Sequence, residues 1–377
     1  MRVLGIFRVV VVVVVVEMMF AGVLLAAEGK DKDEQYVGVI TNDAVWHDTA
    51  GNEIWCNGGN MMQVADMFYW IGYETGSGRP WRINLYSSKN LADWKFENSV
   101  IEKKGDFAKF GWAGRPALVH CNKTGKWVIL FEASCGQWVR HKVGYATCGT
   151  INGKYELDNC TYPEPKQSTG DQSVYQEGDN AYLLAVVDGE LGNQAKLNAA
   201  VAIYKLTDDY LAVEKKVYQG WQSDNPTFEG WVGDKTGTGS EAPHIIKRDG
   251  LYYMFTSRLW GWHSSPTMYS TAKSLEGPWT QQKILKTYLE LKSAPPAWRW
   301  WWRPTLSFNT QHDFIIPVIG SKETTYVYVG DRYSQYHHLG VGRNIFLPLI
   351  RKEGELRLIW RQQWQINTKT GEWQSVE

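Results

Sequence analysis

Ser240-Glu241-Ala242-Pro243-His244 is where chemistry is easiest to place in this 377-residue chain. It closes a Gly- and Trp-rich segment, QGWQSDNPTFEGWVGDKTGTGS (219–240), and opens an aromatic, β-rich run. A carboxyl group at such a junction, with Trp and Pro close by, is partly withdrawn from water. Withdrawal disfavours the anion, so the proton affinity of Glu241 rises towards that of a general acid. The competing reading is a solvated glutamate at the start of a strand, which on position alone is the commoner case.

Other reactive patterns are thin. The GGN at 58–60 is followed by no Lys-Ser/Thr and is no phosphate loop, and GxSxG is absent. His337-His338 has no partner motif and reads as surface or core histidine. The five cysteines, Cys56, Cys121, Cys135, Cys148 and Cys160, contain no CxxC and fit no zinc pattern. No dedicated oxygen-ligand loop for calcium is visible, so no metal and no cofactor is expected. An odd cysteine count leaves at least one thiol outside any intrachain pairing. In an oxidising compartment the expected pairs are Cys121–Cys135 and Cys148–Cys160. Asn122-Lys-Thr124 and Asn159-Cys-Thr161 are glycosylation sequons.

The elements that must position Glu241 are strands. Five stretches read alike: ADMFYWIGYE (65–74), TGKWVILFEAS (124–134), GDNAYLLAVVD (178–188), RDGLYYMFTS (248–257) and KETTYVYVGD (322–331). Each has a polar turn, then a run of aromatic and β-branched residues, then a small or acidic stop. No helical period competes with this pattern. The stretches begin roughly 55–75 residues apart, a spacing expected for four-stranded propeller blades. The expected fold is therefore all-β, a five-bladed β-propeller over residues 36–377, whose central funnel is lined by inner strands. Two segments break the rhythm: 219–240 and LKSAPPAWRWWWRPT (291–305). Long loops on a rigid β scaffold usually face ligand.

Composition narrows the ligand. Lys+Arg and Asp+Glu are both 40, so the net charge is near zero. That argues against nucleic acid or a polybasic membrane surface as the main partner. The chain carries 20 Trp and 20 Tyr. An indole has a flat apolar face that covers the C–H face of a sugar ring, and a donor at its edge. Most of these rings are expected between sheets, with a handful lining a carbohydrate cleft. Residues 1–27 read as a secretory signal, with Arg2 and Arg8, the apolar Val9–Val16 and Met18–Ala27, and small residues at Ala26-Ala27. Glu17 interrupts the apolar stretch, and a stable membrane span is not expected. Residues 28–35, EGKDKDEQ, read as a linker, and the expected location is extracellular.

SEAPHIIKRDGLYYMFTSRLWGW, followed by MYSTAKSLEGPW, resembles the general-acid segment of glycoside hydrolase family 43. The likeness extends over most of the chain. GNEIWCNGGNMMQVADMFYWIGYE resembles the opening segment of the branch that includes exo-β-1,3-galactanases, and GRPALVHCNKTGKWVILFE its Glu-Arg-Pro segment. GDQSVYQEGDNAYLL resembles its Asp-containing motif, and NTQHDFIIPV, VYVGDRY, FLPL and LIWRQQW follow its C-terminal order.

The resemblance implies roles. Glu241 would be the general acid, and Asp171 would orient it and tune its pKa. Gln311 falls where the branch has a Gln in the base position, and Glu74 falls on a sugar-binding Glu. An inverting hydrolase needs an acid and a base on opposite faces of the sugar, with room for water. A neutral amide is a poor base but can hold that water, in the amide or the imidic form. Departures stand beside these matches. Gly114 replaces the Glu of Glu-Arg-Pro, while Arg115 and Pro116 remain. Asn57 replaces a His, and Trp260 a smaller polar residue. Asn57, Arg115, Trp260 and Trp262 join Glu74 as expected sugar contacts, with one or more of Trp298–Trp302 at the rim. The implied activity is secreted, exo-acting, inverting hydrolysis of β-linked galactan-type or related side chains, with a poly- or oligosaccharide as the partner. The alternatives are a catalytically silent carbohydrate-binding propeller and an arabinofuranosidase or xylosidase of the same family.

Overall fold

The computed structural model describes residues 37–74, 76–134, 141–165, 167–187, 200–220, 240–289, 306–333 and 342–376. The expected signal and linker, the cysteine at 135, nearly all of the 219–240 segment, Trp298–Trp302 and His337-His338 lie outside them.

The described chain is all-β. After β1 (Val37–Thr41) it runs through antiparallel meanders of four strands. The first is β2 (Asn57–Val64), β3 (Met67–Glu74), β4 (Arg82–Ser88) and β5 (Lys95–Glu102). The second is β6 (Trp112–Cys121), β7 (Lys126–Ser134), β8 (His141–Cys148) and β9 (Glu156–Thr161). The third is β10 (Thr169–Glu177), β11 (Asn180–Val187), β12 (Ala200–Leu206) and β13 (Val213–Gly220), joined to the second by one bridge from Thr169 to His141. The fourth is β14 (Ser240–Arg248), β15 (Leu251–Arg258), β16 (Met268–Ala272) and β17 (Lys283–Ile284). Then β18 (Lys286–Tyr288) lies parallel to the edge of the fifth: β19 (Gln311–Ile319), β20 (Thr324–Asp331), β21 (Asn344–Lys352) and β22 (Glu355–Ile359). Finally β23 (Gln363–Asn367) pairs with β1 on one side and with β24 (Trp373–Ser375) on the other.

Every one of the aromatic runs is the second strand of its meander: β3, β7, β11, β15 and β20. Successive side chains of a strand point to opposite faces, so a run buried on both faces reads as nearly continuous apolar sequence. In β7, Ile129 and Phe131 face one core while Val128 and Leu130 face the next. In β15, Tyr252 and Met254 pack against Leu184 and Ile203 of the third meander, while Tyr253 and Phe255 pack against Ile315 and Tyr328 of the fifth. In β3, Trp70 joins Phe314 and Val329 of the fifth meander, and Ile71 joins Leu118 of the second. Trp70 is fully buried against Trp46, Trp94 and Phe346. Its truncation to Ala costs about 3–5 kcal/mol.

The first strands touch in a circuit: β2 with β6, β6 with β10, β10 with β14, β14 with β19, and β19 with β2. Each also carries a break in register near its start: Asn57/Asn60, Gly114/Ala117, Thr169/Gln172, Glu241/His244 and His312/Phe314. At three of these breaks the backbone turns left-handed, with φ of 57° at Gly58, 46° at Arg115 and 50° at Ala242. A bulge re-aims side chains, and the strain of positive φ at non-glycine residues concentrates at functional sites.

The two ends of the described chain meet, held by β1–β23 pairing and by Asn42. Its Nδ2 donates to the carbonyls of Phe346 and Arg361, and its Oδ1 accepts from Phe346 N. The expected disulfide between Cys148 and Cys160 is not formed. The β8–β9 register sets Cys160 opposite Gly144, four residues from Cys148. At about 3.3 Å per residue that is far beyond the 4.4–6.8 Å a disulfide spans. Cys121 is free and buried, its Sγ 3.3 Å from the Asp208 carbonyl.

Candidate active site

The register breaks deliver their residues to one place. A cavity of about 340 Å³ is lined by Glu241, Asp171, Arg115, Gln311, Tyr73, Tyr333, Trp112, Trp262, Glu132 and His141, among others. These come from all of the meanders, so the circuit of first strands is what assembles the site.

Glu241 is 7% exposed. Its Oε1 accepts from Gln311 Nε2 at 2.6 Å and from the Trp260 backbone amide at 3.1 Å. Burial and the nearby charge of Asp171 push its proton affinity well above the usual carboxylate range, against the pull of Arg115. A carboxyl so placed stays protonated where an ordinary one has ionised. Asp171 reaches it from the next strand round. One oxygen, Oδ2, accepts from Ala242 N at 2.9 Å and lies 3.1 Å from Arg115 Nη2. The aspartate thus pins the backbone at the bulge that carries the acid.

Arg115 is the hub. Its Nη1 pairs with Asp313 Oδ1 at 3.1 Å, and its Nη2 donates to Gln311 Oε1 at 3.0 Å and to the Tyr333 hydroxyl at 3.3 Å. Gln311 therefore accepts from the guanidinium through Oε1 and donates through Nε2 to Glu241 and to Ser257 Oγ, at 2.6 Å and 3.1 Å. Glu241 and Gln311 touch directly, leaving no water's width between those two atoms.

Below lies a buried layer with Asp313 and Asp331. Asp331 accepts from Asn57 Nδ2 at 3.1 Å, Asn344 Nδ2 at 2.7 Å and Gly58 N at 2.5 Å. Burial pushes it up to about 6, with Arg115 pulling the other way. Asp313 is raised further, by burial and then by the charge of Asp331. Two carboxyls this close in a dry interior do not both ionise readily.

An aromatic wall faces the acid. Trp262, 42% exposed, packs edge-on against Tyr73, Trp112 and Tyr333, with centroids 6.2, 5.4 and 4.9 Å away.

The structure thus brings Glu241, Asp171, Gln311, Arg115 and Trp262 together. Trp260 contributes its backbone amide to Glu241. Asn57 is fully buried beneath the cavity on Asp331, and Glu74 pairs with Arg82 Nε at 3.2 Å and Asn84 Nδ2 at 3.3 Å. Neither lines the cavity with the acid. Sequence reading passed over Asp313, Asp331, Tyr73, Tyr333, Trp112, Glu132 and His141. One signal was there: Glu132, which lines the cavity, is an acidic stop near the end of the second strand of its meander, as Glu74 and Asp331 are of theirs. Among the described residues no group of His, Cys, Asp and Glu is arranged to hold a metal, and no helix is long and apolar enough to cross a membrane.

A buried carboxyl of raised proton affinity beside an aromatic wall is the equipment of a glycoside hydrolase. The chain belongs to that class by descent as well: residues 59–351 match the model of glycosyl hydrolases family 43, and it is a member of that family. Among solved structures it is similar to the exo-β-1,3-galactanase from Phanerochaete chrysosporium with β-1,3-galactotriose. That likeness has 26% identity and a TM-score of 0.71, over 90% of this chain and 71% of that one. It is also similar to an exo-β-1,3-galactanase from Clostridium thermocellum, with 25% identity and a TM-score of 0.73, over 90% of this chain and 68% of that one. A family 43 β-1,3-galactosidase shares the fold at 22% identity and a TM-score of 0.69, over 86% of this chain and 63% of that one. Among curated proteins none matches in sequence.

Proposed function

We propose that this chain is a secreted, five-bladed β-propeller that removes sugar from the ends of β-1,3-galactan-type chains with inversion at the anomeric carbon. The observation that carries the reading is Glu241, buried, raised in proton affinity and aimed into an aromatic-walled cavity. The circuit of first strands and the cores between successive meanders support five blades. The N-terminal segment supports secretion. The small cavity supports exo action, since about 340 Å³ is at the low end for ligand sites and suits a chain end.

The chemistry follows from the contacts. Trp262 and its aromatic neighbours cover the apolar face of the sugar. Glu241, its proton affinity raised by burial and by Asp171, gives its proton to the departing glycosidic oxygen. Asp171 keeps that proton in place beforehand, because its negative charge disfavours a second anion nearby. Arg115 holds Asp171 and Gln311 in register and offsets the charge that Glu241 acquires as the bond breaks. A water then attacks the anomeric carbon from the opposite face.

The test is incubation with β-1,3-galactan, arabinan and xylan, reading released sugar and its first anomer by proton NMR. Monosaccharide from galactan as the α-anomer is expected. Release from arabinan or xylan alone would move the substrate, and a first-formed β-anomer would end the inverting assignment.

A further inference from the structure

Glu132 and His141 line the same cavity, yet the hydrogen bonds that hold the acid run through Asp171, Arg115 and Gln311. The two residues bond to each other, His141 Nδ1 with Glu132 Oε1, and both are largely withdrawn from solvent, at 11% and 7% side-chain exposure. Glu132 stands on β7 directly opposite Gly114 of β6. Gly114 is where the family resemblance expects a glutamate. A Cβ there would come within 2.4 Å of the Trp112 ring, so the indole occupies that space. The carboxylate at this level of the second meander is therefore the cross-strand one, Glu132.

Gln311 is poorly set to accept a proton. Its oxygen already faces the Arg115 guanidinium, which lowers its basicity, and its nitrogen is spent on the acid itself. The order of the circuit supplies a better side. The fourth meander, which carries Glu241, has the third and fifth as neighbours; the second, which carries Glu132 and His141, lies across from it. An inverting reaction needs its acceptor across from its acid, about 6.5–9.5 Å away.

We propose that His141, oriented by Glu132, is the acceptor of the attacking water's proton. The proposal rests on the inverting glycosidase reading above. With Nδ1–H given to Glu132, the lone pair of the ring sits on Nε2. As the water oxygen bonds to the anomeric carbon, the bond from that carbon to the leaving oxygen breaks. The leaving oxygen takes the proton of Glu241, and the water's proton passes to His141 Nε2. Glu132 balances the imidazolium that results. One water is consumed, and no electron changes hands.

The experiment compares wild type, His141→Ala and Glu132→Gln on a β-1,3-linked galactobiose and on an aryl β-galactoside with a good leaving group. Loss of an acceptor slows attack whatever departs, so kcat should fall about 10²–10⁴-fold on both substrates for His141→Ala, and less for Glu132→Gln. Added azide, which attacks without needing deprotonation, should restore turnover of the aryl substrate by His141→Ala and yield the galactosyl azide. Circular dichroism and thermal melting check the fold, and His141→Gln replaces the alanine variant should that one not fold. The proposal is overturned if His141 variants keep wild-type kcat, if only KM changes, or if the aryl substrate is spared. An active wild type with indifferent His141 variants defeats this proposal alone. A wild type that releases sugar from nothing defeats the glycosidase reading as well.

Discussion

Glu241→Gln separates the acid's chemistry from its electrostatics. The amide keeps the Oε1 acceptor for Gln311 Nε2 and Trp260 N, so the local frame should survive. It carries no transferable proton. Positioned general acids contribute about 10²–10⁴-fold, equivalent to about 3–5 kcal/mol of barrier, and kcat on galactan should fall by that order. An aryl galactoside with a good leaving group needs little protonation and should lose far less. Stability gives an independent reading. The folded pKa of Glu241 is raised above its ordinary value of 4.5. Between those two values the folded protein holds a proton that the unfolded chain has released, so wild-type stability falls as pH rises. The slope is at most about 1.4 kcal/mol per pH unit. Gln does not titrate, so the variant should gain on wild type as pH climbs from 4.5 towards neutrality and hold a constant difference below that. Denaturant melts across pH measure this. A difference that stays flat with pH would refute the raised proton affinity. A variant that matches wild type on galactan would refute the acid assignment.

Other outcomes can be measured alongside. Trp262→Ala removes a half-exposed platform, and KM should rise about 10-fold with little change in melting temperature or kcat. Asp331→Asn replaces one carboxylate oxygen by an amide donor, which must face either the Asn57 and Asn344 amides on Oδ1 or Gly58 N on Oδ2, all of them donors, and should cost about 1–3 kcal/mol in urea unfolding. Gly114→Ala drives a methyl into Trp112 and should cost about 1–3 kcal/mol. Combining Gly114→Ala with Trp112→Ala should give a double-mutant coupling that recovers most of that penalty.

The sequence by itself determined the strands and their equivalence. Burial on both faces forces an unbroken apolar run, so the second strand of each meander could be read from TGKWVILFEAS or RDGLYYMFTS without a partner in view. Position alone favoured a solvated glutamate at Glu241, and it was the resemblance of SEAPHIIKRDGLYYMFTSRLWGW to the general-acid segment of the family that singled it out. What the residues alone did not carry was convergence. Arg115 meets Asp171, Asp313, Gln311 and Tyr333 only because first strands from different meanders lie side by side. Asp313 and Asp331 look like ordinary strand residues until burial raises both and the charge of Asp331 raises Asp313 further. The pairing of Cys148 with Cys160 was plausible by spacing and excluded by a register that spacing does not encode. Asn57 and Glu74 stand on the expected strands, but the bulge and the β3–β4 pairing turn them to Asp331 and Arg82. Periodicity reports which face of a strand is dry. Which dry or polar groups from distant strands share a cavity depends on bulges and register, and those exist only once the sheets have packed.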